Sequence, residues 1–195
     1  MNIYWNHFKT ITKHKWVVFG LMAKAGYPIQ GLKHDLSKYH PIEFYTSARY
    51  WSGTSSPIDK EKEKKGYSIA WQHHKGHNPH HAEYWVDNVL TIGQEPIPLL
   101  MPERYAVEML IDWIGAGMVY NGENWTTETP LKRFYEVESK RRIHPAVLDF
   151  AEQVLIYIRE TRSLAILQKE ILHHLYQEAV RDWKREQKRI SELGD

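Results

Sequence analysis

The chain has 195 residues, with 26 Lys and Arg against 24 Asp and Glu and no cysteine. That length suits one domain, or one domain with an appendage, and 42% hydrophobic residues are enough to bury a core. Without cysteine there are no disulfides, thiolate metal sites or cysteine nucleophiles, and a formal charge of +2 is too balanced to argue for nucleic acid or membrane binding by bulk charge.

The apolar residues from Trp5 to Met22 recur at three- and four-residue steps, which predicts a first helix over 2–25, ended by Gly26. A second helix is expected from Ile29 to Lys38, carrying His34 and Asp35, and a third from Pro41 to about Tyr50. The stretch from Trp51 to Gly66, with its Lys-Glu run, reads as a solvated loop. Tyr67 to Lys75 looks helical and stops at Gly76. Asn78-Pro79 reads as a fresh N-cap with proline in the first turn, opening a helix to about Leu90. A loop over Gln94–Leu100 precedes a strongly apolar helix from Pro102 through Tyr120. Helices over Thr129–Arg142 and Pro145–Arg162 follow. Leu164 to Leu193 forms a long amphipathic helix with Leu164, Leu167, Ile171, Leu175, Ala179 and Trp183 as its stripe. The expectation is an all-α fold of about six to eight helices: a domain over residues 1–162 and a helical extension over 163–195. No stretch approaches the ~20 apolar residues of a membrane span, and nothing resembles a signal peptide. A cytoplasmic protein with no membrane partner is expected.

Chemistry concentrates on imidazole and carboxylate. The chain holds 12 histidines, and five of them fall between His73 and His81. Asp112 interrupts the apolar run Met109–Ile114, with Glu108 one turn earlier on the same face. Like charges at that spacing repel, so a cation would resolve the conflict; pairing of Asp112 with Lys or Arg, or an outward orientation, is the plainer alternative. His34 and Asp35 can converge on one ion at a helix edge. His73 and His74 close one predicted helix while His80 and His81 sit in the first turn of the next, so a common point is within reach. His77 falls on the turn and is expected in solvent. His14 and His7 share nearly one face of the first helix, and either could face the core. A nitrogen-and-oxygen donor set of this kind suits Mn²⁺, Fe²⁺, Co²⁺, Ni²⁺ or Zn²⁺ better than a dedicated Ca²⁺ or Mg²⁺ cage. With six or more donors, one or two ions are accommodated.

The order His … His-Asp … His … His … Asp on an all-helical chain resembles the HD-domain superfamily of metal-dependent phosphohydrolases, with Leu32 to Lys38 similar to its His-Asp-Ile-Gly-Lys stretch. A closer resemblance is to an uncharacterised family of small bacterial and phage proteins. Those share His-Asp-x-Ser-Lys-x-x-x-x-Glu-Phe (His34 to Phe44), His-His-x-x-x-Asn-Pro-His-His-x-x-Tyr-Trp (His73 to Trp85) and Glu-Met-x-x-Asp-Trp (Glu108 to Trp113). The similarity runs from about Tyr4 to Leu155. By it, His14, His34, Asp35 and Asp112 form a four-ligand core, and His74 and His81, or their neighbours His73 and His80, hold a second metal.

The resemblance implies a phosphohydrolase acting on a nucleotide or another small phosphate ester. Lys38, Glu43 and Glu108 are the candidate catalytic residues. Lys38 would share a helix face with His34 and meet a substrate phosphate, unless it is simply an exposed lysine. Glu43 would act as general acid or base, or cap the helix opened by Pro41, the cap being preferred. Arg49 is a weaker phosphate candidate. Trp71, Tyr84, Trp85 and Trp113 suit core packing better than nucleobase stacking. A di-iron oxygenase and a non-catalytic, metal-stabilised interaction protein are the alternatives. The C-terminal helix suits packing on the domain or homo-oligomer formation, with His173 and His174 as packing or surface residues. Its charged end, Arg181 to Arg189, is expected to be a solvated face, and nucleic acid is not an expected partner.

Overall fold

The computed structural model describes residues 2–88, 93–136 and 142–193. Among them the fold is all-α, with nine α-helices: α1 (Ile3–Lys24), α2 (Pro28–Lys33), α3 (Pro41–Arg49), α4 (Pro57–Lys65), α5 (Ile69–His77), α6 (Glu103–Asn121), α7 (Thr129–Glu136), α8 (Pro145–Thr161) and α9 (Lys169–Leu193). Two two-residue strands, β1 (Val86–Asp87) and β2 (Ile97–Pro98), pair antiparallel. None of the described helices is long and apolar enough to cross a membrane.

The central element is α6. Ala106, Val107, Leu110, Ile111 and Ile114 are all fully buried, because α1 packs on one side and α7, α8 and α9 on others. Gly115 permits a close approach of α1: a Cβ there would stand 2.7 Å from Val18 Cγ2. The inward face of α1 carries Ile11, His14, Val18, Leu21 and Met22, so a metal-ligand type sits within a helical core stripe. Pairing of α8 with α9 buries Val147, Phe150, Val154, Leu155 and Ile158 against Leu172, Tyr176, Ala179 and Val180. Tyr176 donates its hydroxyl proton to the Met101 carbonyl and anchors α9 to the start of α6.

Several sequence expectations change. The helix expected over Ile29–Lys38 breaks at His34, which is extended (φ −50°, ψ 128°), and at Asp35, which is left-handed (φ 55°). Leu36–Tyr39 continues as a 3₁₀ turn. Lys15 stabilises the break by donating to the carbonyls of Leu32 and His34, which a helix end would leave without partners. The supposed loop over Trp51–Gly66 contains α4. Proline at its first position, Asp59 in its first turn and lysines in its last all favour a helix, and Gly66 ends it with φ 79°. α5 starts at Ile69 and runs past Gly76 to His77.

Asn78 closes α5 rather than opening a new helix: its amide donates to the His74 carbonyl, and Pro79 blocks continuation. Only a 3₁₀ turn, Ala82–Trp85, follows before β1, and the remainder of the helix expected there reaches outside the described residues. The same holds for 137–141 after α7. The last helix begins at Lys169 after an irregular turn, which resets its phase. Leu172 and Tyr176 therefore face the core, while Ile171 is partly exposed, and Lys184 to Leu193 are exposed on all sides.

Candidate metal centre

Five segments converge on one point. His14 comes from α1, His34 and Asp35 from the break after α2, His74 from the end of α5, His80 and His81 from the turn beyond it, and Asp112 from α6. The break explains how two adjacent residues both reach the interior. In an unbroken helix their side chains would diverge by about 100°, whereas the switch from extended to left-handed backbone turns both inward.

Two donor sets share Asp35. Its Oδ2 lies 3.4 Å from His14 Nε2 and 3.2 Å from His34 Nε2; Asp112 Oδ1 is 2.9 Å from His14 Nε2 and 3.5 Å from His34 Nε2. On the other side, Asp35 Oδ1 is 3.4 Å from His74 Nε2 and 3.5 Å from His80 Nε2, with His81 completing the second set. Metal–nitrogen bonds of about 2.0–2.1 Å put neighbouring ligands about 3.0 Å apart at a right angle and about 3.4 Å apart at the tetrahedral angle. The observed spacings match.

The donors are also short of protein partners. Asp35 Oδ1, His80 Nε2 and His81 Nε2 are buried without a hydrogen bond. The other Asp35 oxygen, Oδ2, is paired with the Lys38 ammonium, the one lysine or arginine that pairs with a donor among the described residues. Buried polar atoms are normally satisfied, so a cluster of unsatisfied ones facing one another fits a ligand of positive charge. Burial alone would raise the Asp35 carboxyl, but the charges of His34, Lys38 and His74 outweigh it and hold the group well below the usual range. Asp112 is also held well below it, its burial outweighed by bonds from His14 and His34. Burial would lower His34, yet Asp35, Asp112 and Glu108 together push it well above its ordinary value. The pocket thus draws in positive charge. Burial and the neighbouring imidazoles depress His81, which leaves that ring neutral and able to coordinate.

Two carboxylates stand behind the donors. Glu108 Oε1 accepts from His34 Nδ1 (2.8 Å) and lies 3.2 Å from His80 Nδ1, while Gln30 donates to its other oxygen. Glu108 with these two rings also has metal-ligand spacing. The short contacts at Nδ1 are better read as hydrogen bonds, because the Nε2 atoms already face Asp35. Burial would raise Glu108, but bonds from His34 and His80 bring it down to about 2. Glu43 plays the same part for His74, accepting from Nδ1 at 2.8 Å, and also accepts from His73 at 2.6 Å. It caps nothing: the side chain of His40 accepts from Ile42 N at the start of α3. Such carboxylate–histidine pairs fix the tautomer and leave Nε2 free to coordinate.

His73 lies outside both donor sets. One helical step turns it away from His74, and it stacks between His40 and His77 on the surface. His77 is exposed, as are His173 and His174. His7 is buried against Phe44, away from the donors. Lys38 reaches the centre from the 3₁₀ turn rather than from a shared helix face. Trp113 packs against the core, whereas Trp71 lies edge-on to His81. Sequence reasoning did not single out Tyr120 or Lys62. Both line a cavity of about 380 Å³ that opens onto His14, His74, His81, Asp112 and Lys38. An aromatic in α6 and a lysine in a charge run carried no signal of their own.

The sequence matches the family of unknown function DUF5662 over residues 3–157. No curated protein and no solved structure matches it.

Proposed function

The chain belongs to that family, and we propose that it is a metal-dependent phosphohydrolase acting on a nucleotide or another small phosphate ester. The observation that carries the reading is Asp35, one oxygen facing each of two buried donor sets beside an open cavity. His14, His34 and Asp112 with one Asp35 oxygen would hold one divalent ion, and His74, His80 and His81 with the other oxygen a second. Ions held there would supply Lewis acidity, making water nucleophilic at neutral pH and offsetting charge on a phosphoryl oxygen. Glu108 and Glu43 keep the imidazoles in the coordinating tautomer. Lys38, held against Asp35 but partly exposed to the cavity, can receive an anionic substrate oxygen. A volume of about 380 Å³ lies within the range of small-molecule sites. The order of ligands along the chain, His14, His34-Asp35, His74, His80-His81, Asp112, follows the HD-superfamily resemblance and supports hydrolysis. The cavity opposes a purely structural metal, which would be closed off from solvent.

The test is elemental analysis of untagged protein beside His34→Ala and Asp112→Ala, followed by a phosphate-ester panel with Mn²⁺. About one or two metal equivalents lost in both variants, with phosphate release that needs the metal, are expected. Failure to take up metal on reconstitution would remove the reading. Bound iron with oxygen consumption and no phosphate release would redirect it to oxygenase chemistry.

A further inference from the structure

Charge is unevenly distributed along this chain. Residues 2–58 hold six lysines and one arginine against two acids, Asp35 and Glu43, and both acids are buried in or beside the metal centre. Lys9, Lys13, Lys24 and Lys33 on α1 and α2 are exposed, and the first exposed acid is Asp59. The basic end of α9 is different: Arg181, Arg185 and Arg189 each pair with an acid three residues earlier.

The same region exposes large apolar side chains. Trp5 is 57% exposed, Trp16 56% and Ile29 72%; Leu32, Leu36 and Tyr45 are each about half exposed. On α1, Phe8, Trp5, Trp16, Lys9 and Lys13 fall within an arc of about 140°, opposite the buried Ile11, His14 and Val18. Eleven residues separate the two tryptophans, so they stand about 16 Å apart along one helix face. A helix lying flat in a bilayer interface presents this pattern: aromatic and aliphatic groups that enter the headgroup boundary, with lysines beside them.

We propose that the outer face of α1, with α2 and α3 packed beside that helix, docks on an anionic lipid bilayer. This inference is independent of the metal centre. A second copy of the chain is a poor occupant, because a self-facing contact would oppose like charges with no exposed acid to neutralise them. A nucleic acid strand would meet the lysines and stack on Trp5 and Trp16, but it would leave Ile29, Leu32 and Leu36 in water, and a convex helix face offers it no groove. The near-neutral bulk charge averages over this polarity, and the absence of a membrane-crossing helix concerns spanning rather than surface docking.

The test is co-sedimentation of the full chain with vesicles of phosphatidylcholine alone, or with about a third phosphatidylglycerol. Binding to the anionic vesicles, weak binding to the neutral ones, and release at high salt are expected. A lysine near an anionic surface is worth about fivefold in partitioning, so Lys9→Glu/Lys13→Glu should bind at least 25-fold more weakly. Trp5→Ser/Trp16→Ser should bind more weakly by about tenfold or more, with metal content unchanged and a small loss of melting temperature, because Trp5 stacks on Phe8 and Trp16 packs edge-on to Phe19. Equal binding to both lipids, no binding to either, or unchanged binding of the lysine variant would overturn the proposal. So would tight binding of oligothymidylate in preference to vesicles, or a dimer in solution that the tryptophan variant abolishes.

Discussion

Replacing Glu108 with Gln should weaken metal binding at both donor sets, whereas Glu43→Gln should weaken only the set that contains His74. The split follows from contacts at Nδ1. Glu108 Oε1 is 2.8 Å from His34 and 3.2 Å from His80, one ring from each set, while Glu43 Oε2 reaches His74 alone among the donors. A carboxylate behind a ligating histidine is generally worth about 10–100-fold in metal affinity, equivalent to about 1.4–2.7 kcal/mol per ion. Gln keeps an acceptor of the same shape but loses the charge, and bonds to ionised groups are roughly twice as strong as neutral ones. About tenfold per ion is therefore expected for Glu108→Gln, and a loss nearer the upper bound for Glu108→Ala. Chelator competition with Mn²⁺ or Zn²⁺, fitted to two constants, measures this, and melting of the metal-free variants checks the fold. Two constants within about twofold of the parent for Glu108→Gln would refute the positioning role of this carboxylate. An equal loss at both sets for Glu43→Gln would refute the division of the ligands.

The remaining expectations concern stability. Burial depresses His7 to about 4, with the Lys38 charge adding to the effect. Its folded value therefore lies below the unfolded value near 6.5, and the unfolded chain takes up the proton first. Its contribution is fully present above pH 6.5 and is lost as pH falls toward 4, on the order of 3 kcal/mol; His7→Gln should flatten that part of the denaturant-stability profile relative to the parent. Gly115→Ala would place a Cβ 2.7 Å from Val18 Cγ2, a stiff and fully buried side chain. It should cost about 1–3 kcal/mol and lower metal affinity, because Asp112 and His14 lie one turn from that contact. Lys15→Met orphans the carbonyls of Leu32 and His34, with an expected cost of about 2 kcal/mol and a melting temperature lower by about 4–8 °C.

Much of the candidate site was legible because its signal is compositional. A cysteine-free chain with five histidines in nine positions, a His-Asp pair and a carboxylate inside an apolar run points to cation chemistry without any fold. The all-α class was legible from periodicity. What the sequence hid was backbone detail under tertiary control. The break at His34-Asp35 depends on Lys15, which comes from another helix, and no local residue announces it. Asn78-Pro79 can open a helix or close one, and the choice depends on where the Asn78 amide finds partners, here His74 O and Ser37 Oγ. The run at 57–65 reads as a loop because low hydropathy masks the signals that favour a helix there: its proline, its charge order and the terminal Gly66. The roles of Glu43 and Glu108 needed coordinates, since a carboxylate that orients a ligand and one that touches substrate look alike in sequence.

Asp35 occupies the left-handed basin at φ 55°, ψ 25°, and this narrows which residues can stand there. The backbone admits Gly, Asn and Asp at little cost, while a longer side chain costs about 1–2 kcal/mol. The chemistry of an anionic oxygen donor facing two sets of ligands admits Asp and Glu. Only aspartate belongs to both lists. The usual charge-conserving exchange is therefore not conservative at this position: Glu satisfies the charge and fails the backbone, and Asn does the reverse.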